Sequence, residues 1–135
     1  MRFPAVRDLR LAHARLLART GGTRGEINPG AVHSALERAR WGPFHGDGAL
    51  AERAALLLRG MVADHPFADG NKRAALEALD LFLGLNGAWI EETGKNVIEF
   101  VVRMAEGEIE LEDATEWLQR RLQYLEEDEP RQVIR

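Results

Sequence analysis

The sequence contains no cysteine. Disulfides and thiolate-held metal sites are therefore excluded, and redox chemistry says nothing about the compartment. The opening MRFPAVRDLR has no apolar core of the signal-peptide kind, and no apolar run approaches the roughly 20 residues needed to span a bilayer. These absences predict a soluble, cytoplasmic protein with no membrane partner. Charge of one sign is missing too: the formal net charge is −4, with both signs interspersed. A chain without a broad basic face is not expected to bind nucleic acid, and any phosphate recognition has to be local. Lysine is scarce, Lys72 and Lys95 being the only two, and no internal repeat or low-complexity segment is present. A length of 135 residues suits one domain, which at this size buries about two-thirds of its unfolded surface. We expect that domain to cover residues 1–127, followed by a charged tail over 128–135 that frays.

The apolar spacing predicts helices almost throughout. Leu9, His13, Leu16 and Leu17 mark one face of a helix over Val6–Arg19, stopped by Gly21-Gly22. His13 on that face reads as a core or boundary histidine. Gly21-Gly22 does not read as a phosphate loop, because no strand precedes it and no Lys-Ser/Thr follows. Asn28-Pro29 predicts the entry of a second helix that buries Val32, Ala35, Leu36 and Ala39. The stretch from Trp41 to Gly48 breaks that helix with glycines and a proline yet holds two aromatics, which suits either packing at a core edge or a recognition flap. A central helix is expected over Ala49–Asp64 and another over Asn71–Leu85, each apolar on most sides. After a short extended piece at Trp89-Ile90, helices are expected over Lys95–Glu106 and about Leu111–Glu127, with Trp117 and Tyr124 at the core edge.

Between the two central helices lies His65-Pro66-Phe67-Ala68-Asp69-Gly70-Asn71-Lys72-Arg73. Pro66 and Gly70 keep its first part out of a helix, so the polar cluster sits at a loop-to-helix junction. The first N–H groups of a helix have no acceptor inside it and the macrodipole is positive there, which makes such a junction an anion site. Gly70 permits close approach, and Lys72 and Arg73 add fixed positive charge. Asp69 is a hard oxygen ligand of the kind Mg²⁺ prefers, and His65 can accept a proton near neutral pH. These are the parts of a phosphoryl or nucleotidyl transfer site. A metal hydrolase finds little support, because the four histidines are scattered without ligand spacing.

The stretch HPFADGNKR resembles the signature of the Fic/Doc family, HPFx(D/E)GN(G/K)R, at every defined position. The likeness extends along the chain. The spacing of Gly21, Gly22, Gly25, Pro29 and Gly30, the Phe82-Leu83 and Asn86-Gly87 ending, and the Gly107-Glu108-Ile109 turn are similar to the short Doc branch. The resemblance implies an all-α fold, a bundle of about six helices without a β-sheet, with the active-site loop between two central helices. It also implies a target-docking flap in the 41–48 region. In catalysis it implies His65 as general base, Asp69 as the Mg²⁺ ligand, and Gly70, Asn71, Lys72 and Arg73 as the cradle for ATP or another nucleoside triphosphate.

Adenylylating relatives carry a glycine where this chain has Lys72 and a second arginine where it has Leu76. The resemblance therefore implies a Doc-like toxin that phosphorylates a Ser or Thr of a protein target, as Doc-type toxins act on translation elongation factor Tu. Glu77 would oppose this if it faced the phosphates. Two alternatives stay open: adenylylation of a protein, and a catalytically silent binding module of the same fold. Self-inhibiting relatives carry (S/T)xxxE(G/N), which no Ser or Thr of this chain satisfies. The implied inhibitor is a separate antitoxin chain.

Overall fold

The computed structural model describes residues 1–22, 25, 28, 30–63 and 70–125. Six helices are found among them: α1 (Val6–Thr20), α2 (Ala31–Trp41), α3 (Leu50–Ala63), α4 (Asn71–Leu85), α5 (Gly94–Ala105) and α6 (Leu111–Arg121). The expectation of an all-α bundle of about six helices holds, but the expectation of no β-sheet does not. Two short strands, β1 (Ala88–Ile90) and β2 (Leu122–Tyr124), pair antiparallel, with Ala88 opposite Tyr124 and Ile90 opposite Leu122. Helical spacing in the sequence runs on through Leu122 and Leu125, so α6 was expected to continue. Instead the chain extends after Arg121, because Ala88–Ile90, part of which was expected to be extended, offers it ladder partners. Flanking bonds from Glu91 N–H to the Arg121 carbonyl (2.8 Å) and from Leu125 N–H to the Gly87 carbonyl (2.8 Å) lengthen the ladder at both ends. The tail expected beyond residue 127 lies outside the described residues.

Helix α3 is the axis of the bundle, touching α2, α4, α5 and α6. Every one of its residues except Arg53, Arg59 and Ala63 is buried. Such a helix must be apolar on most sides, as its sequence is. Close approach to α2 depends on Gly60, since a Cβ there would lie 2.6 Å from the Cβ of Ala35. Any side chain at this position forces the two backbones apart, an overpacking cost of about 1–3 kcal/mol. On the other side of α3, helix α4 buries Ala74, Ala75, Ala78, Leu79, Phe82 and Leu83. Phe3 stacks on Phe82 at 5.2 Å. Asn86 ties the N-terminal segment down, accepting from the Arg2 N–H (2.8 Å) and donating to the carbonyls of Arg2 (2.8 Å) and Phe82 (2.8 Å).

Two sequence readings shift in detail. Helix α2 begins at Ala31, with Gly30 as its N-cap and the Asn28 carbonyl accepting from Ala31 N–H; Pro29 lies outside the described residues. In α5 the buried face is Phe100, Val101 and Met104, and Ile98 is exposed, because Trp117 of α6 covers the helix from the Phe100 side. The two rings stack at 3.9 Å and an interplanar angle of 5°.

At the start of α5 the Glu92 carboxylate receives Arg121 Nε (2.7 Å), Asn96 Nδ2 (2.9 Å) and the Thr93 N–H (2.9 Å). The Arg121 hydrogen bond, followed by those of Asn96 and Thr93, holds this carboxyl at about 2 against an ordinary 4.5. A depressed carboxyl stabilises the fold above its unfolded value and loses that contribution as the pH falls through its folded value. Glu92→Gln should therefore flatten the decline of melting temperature between pH 4.5 and about 2 relative to the parent. Thermal melts followed by circular dichroism across that window check this, and equal slopes for parent and variant would contradict it.

Candidate active site

Two helix ends meet at one cavity. Helix α1 finishes at Thr20, whose hydroxyl donates to the Leu16 carbonyl (2.9 Å), while Gly21 N–H donates to the Leu17 carbonyl (2.7 Å). Gly21 lies at φ 79° and a Cβ there would meet nothing within 4 Å, so the turn opens onto free space. Facing it, Gly70 caps the start of α4 in the left-handed conformation (φ 78°, ψ 20°), and its carbonyl accepts the first helical bond from Ala74 N–H (2.8 Å). A left-handed N-cap suits glycine, and here it also turns the chain directly into the helix. His13 and Leu17 back this junction, within 3.4 Å and 3.5 Å of where a Gly70 Cβ would stand. His13 is buried, as a core histidine should be, and its place beneath Gly70 makes it part of the wall that sets α4 against α1.

The cavity between the two ends has a volume of about 370 Å³ and is lined by Leu16, Leu17, Thr20, Gly21, Gly22, Gly70, Asn71, Lys72 and Arg73. Small-molecule sites span about 300–1,000 Å³. The four nucleotide-cradle residues expected from the sequence thus come together on one wall. The N–H groups of Asn71, Lys72 and Arg73 precede the first ladder bond of α4, where the positive end of the helix dipole lies. Lys72 and Arg73 are exposed toward solvent. The chemistry this wall favours is binding of a polyanion, with nothing acidic among the described lining residues to oppose it. His65 and Asp69 lie outside the described residues. Among the described residues no group of three His, Cys, Asp or Glu side chains could hold a metal ion, and Asp69, the Mg²⁺ ligand implied by the resemblance, is not one of them.

Glu77, a potential obstacle to a triphosphate, faces elsewhere: with Asp80, Asp8 and Arg15 it lines a separate groove between α1 and α4. Leu76 packs against the core. Sequence reasoning missed the opposite wall of the cavity. Gly21-Gly22 has neither the preceding strand nor the following Lys-Ser/Thr of a phosphate loop; its place in the wall comes from tertiary placement beside α4.

A family model described as the Fic/DOC family matches residues 4–83. The chain belongs to the Fic/Doc family. It is also similar to the protein kinase doc of Escherichia phage P1, with 29% identity over 121 residues that cover 89% of this chain and 95% of the phage protein. The matched family region runs from α1 through most of α4, so both walls of the cavity fall inside it.

The 41–48 segment, where the Fic/Doc resemblance implies a flap, is hydrogen-bonded to the first turn of α3. Buried Glu52 accepts the N–H groups of His45 (2.5 Å), Gly46 (3.1 Å) and Gly48 (3.2 Å). Arg53 donates to the Gly48 carbonyl and, through Nη1, to the carbonyls of Ala39 (3.3 Å) and Arg40 (2.7 Å). Its guanidinium also lies 4.4 Å from the centre of the Phe44 ring. Of the two aromatics, Phe44 packs at the core edge and Trp41 is 70% exposed. Phe44 follows the core-edge reading, and Trp41 is the last residue of α2. Among the described residues no helix is long and apolar enough to cross a membrane.

Proposed function

We propose that this Fic/Doc chain is a Doc-like toxin that moves the terminal phosphoryl group of a nucleoside triphosphate to a Ser or Thr hydroxyl of a protein. The observation that carries the reading is Lys72 beside Arg73 on the first turn of α4, lining the 370 Å³ cavity. A compact ammonium next to a guanidinium suits the dense charge of a terminal phosphate. The packed Leu76 leaves no second guanidinium one turn on, the arrangement that adenylylating relatives share. The placement of Glu77 in another groove removes the charge that would repel the nucleotide.

In this mechanism His65 takes the proton from the target hydroxyl as its oxygen attacks the terminal phosphorus. The new O–P bond forms as the bond to the nucleoside diphosphate breaks. Gly70, Asn71, Lys72 and Arg73 hold the phosphates and stabilise the charge that spreads over the transferring oxygens. Asp69 would hold Mg²⁺, which supplies further neutralisation of phosphate charge when bound. The similarity to the phage P1 protein kinase doc supports the choice of phosphoryl over adenylyl transfer. By the Doc resemblance the protein target is elongation factor Tu and the antitoxin is a separate chain.

An enzyme of this kind without a self-inhibiting helix should poison its host. Expression of the chain alone is expected to arrest growth, and co-expression of a small neighbouring antitoxin to restore it. Harmless high-level accumulation of folded protein would overturn the toxin reading.

A further inference from the structure

A second cavity, of about 510 Å³, lies between the 45–49 loop, the first turn of α3 and the outer face of α6. α3 starts at this cavity and ends just before the transfer motif. Its 14 residues at about 1.5 Å each make it roughly 20 Å long. The floor is apolar and firm, made by buried Ala51 and Leu111. The rim is acidic: Asp47, Glu112 and Glu116 stand over it with Arg120, which is itself paired to Glu116. Glu112 is 67% exposed and reaches toward His45 Nδ1 at 3.9 Å across the mouth. The loop side is held in one shape by the three N–H bonds into Glu52, so the groove exists before anything enters it.

We propose that this groove docks a basic segment of a protein partner, with Lys or Arg side chains on the rim carboxylates and small apolar side chains on the floor. Three carboxylates against one already paired guanidinium leave the rim net negative, which repels a nucleotide and attracts a cationic peptide. Charge-assisted bonds to carboxylate are the strong kind. A preformed groove spares the binder the cost of ordering a loop. The apolar floor separates this surface from a merely solvated acidic patch, because it gives the occupant's aliphatic side chains an area to bury. This docking does not depend on the transfer reading, and it is measured without any transfer.

The probe is a short fluorescent peptide of repeated Leu-Lys-Ala, titrated against the full chain by anisotropy, with Leu-Glu-Ala as its charge-inverted counterpart. The lysine peptide should bind and the glutamate peptide should not. Glu112→Lys combined with Glu116→Lys should weaken binding by roughly tenfold or more, and added salt should weaken binding to the parent chain. Both glutamates are largely exposed (67% and 57%), so circular dichroism should show the variant folded; Glu112→Gln, a milder change, should give a smaller loss in the same direction. Equal binding of the two peptides, unchanged binding by the folded double variant, or no binding of the lysine peptide at millimolar concentration would each overturn the proposal.

Discussion

His65→Ala is expected to lower protein-directed transfer by roughly two orders of magnitude or more, the usual consequence of removing a general base. His65 is two residues past the end of α3 and five before Gly70, in the part of the chain that joins α3 to α4. With a pKa that ordinarily lies near neutrality, an imidazole is the side chain suited to receive a hydroxyl proton as attack proceeds. The loss should appear in turnover, with nucleotide affinity held, because in the proposed mechanism the base acts on the target hydroxyl while residues of α4 hold the phosphates. Single-turnover transfer alongside a nucleotide titration measures both. Undiminished turnover in a folded variant would remove His65 from the mechanism.

Arg73→Ala should lower transfer by about 10²–10³-fold, the range for losing one donor aimed at charge that develops in the transition state. Arg73 is exposed on the first turn of α4 and lines the 370 Å³ cavity, so its removal leaves no buried hole and should hardly move the melting temperature. Arg73→Lys should recover only part of the rate, since an ammonium keeps the charge but not the planar fork that meets two phosphate oxygens at once. A full rescue by lysine would mean that charge alone matters at this position. No loss in Arg73→Ala would take the residue out of the site.

What the sequence made legible follows from the range of the interactions involved. Helix α4 was expected over Asn71–Leu85 and is found there, because a local signal fixes each end: Gly70 before it and Asn86-Gly87 after it. That Gly70, Asn71, Lys72 and Arg73 line one cavity was legible for the same reason, since they are four consecutive residues at one helix start. Glu52 gave no signal, since an acid in the first turn of a helix ordinarily sits in solvent at the positive dipole end. Here it is buried, because the loop before α3 folds back and offers its N–H groups. The β1–β2 pair was illegible because each strand is three residues long, too short for a period-2 pattern, and its partner is more than thirty residues away. The wall made by Thr20, Gly21 and Gly22 was hidden likewise: only packing of α1 on α4 brings it to the cradle.

In the proposed reaction Lys72 and Arg73 present a terminal phosphoryl group to a protein hydroxyl. The most direct test incubates the protein, with magnesium, in a lysate given ATP labelled at either the α or the γ phosphate. This account predicts that label enters protein from the γ position only, and that His65→Ala abolishes it. Label entering protein from the α position with comparable yield would contradict it and make the chain an adenylyltransferase; label from neither position would make it a binding module.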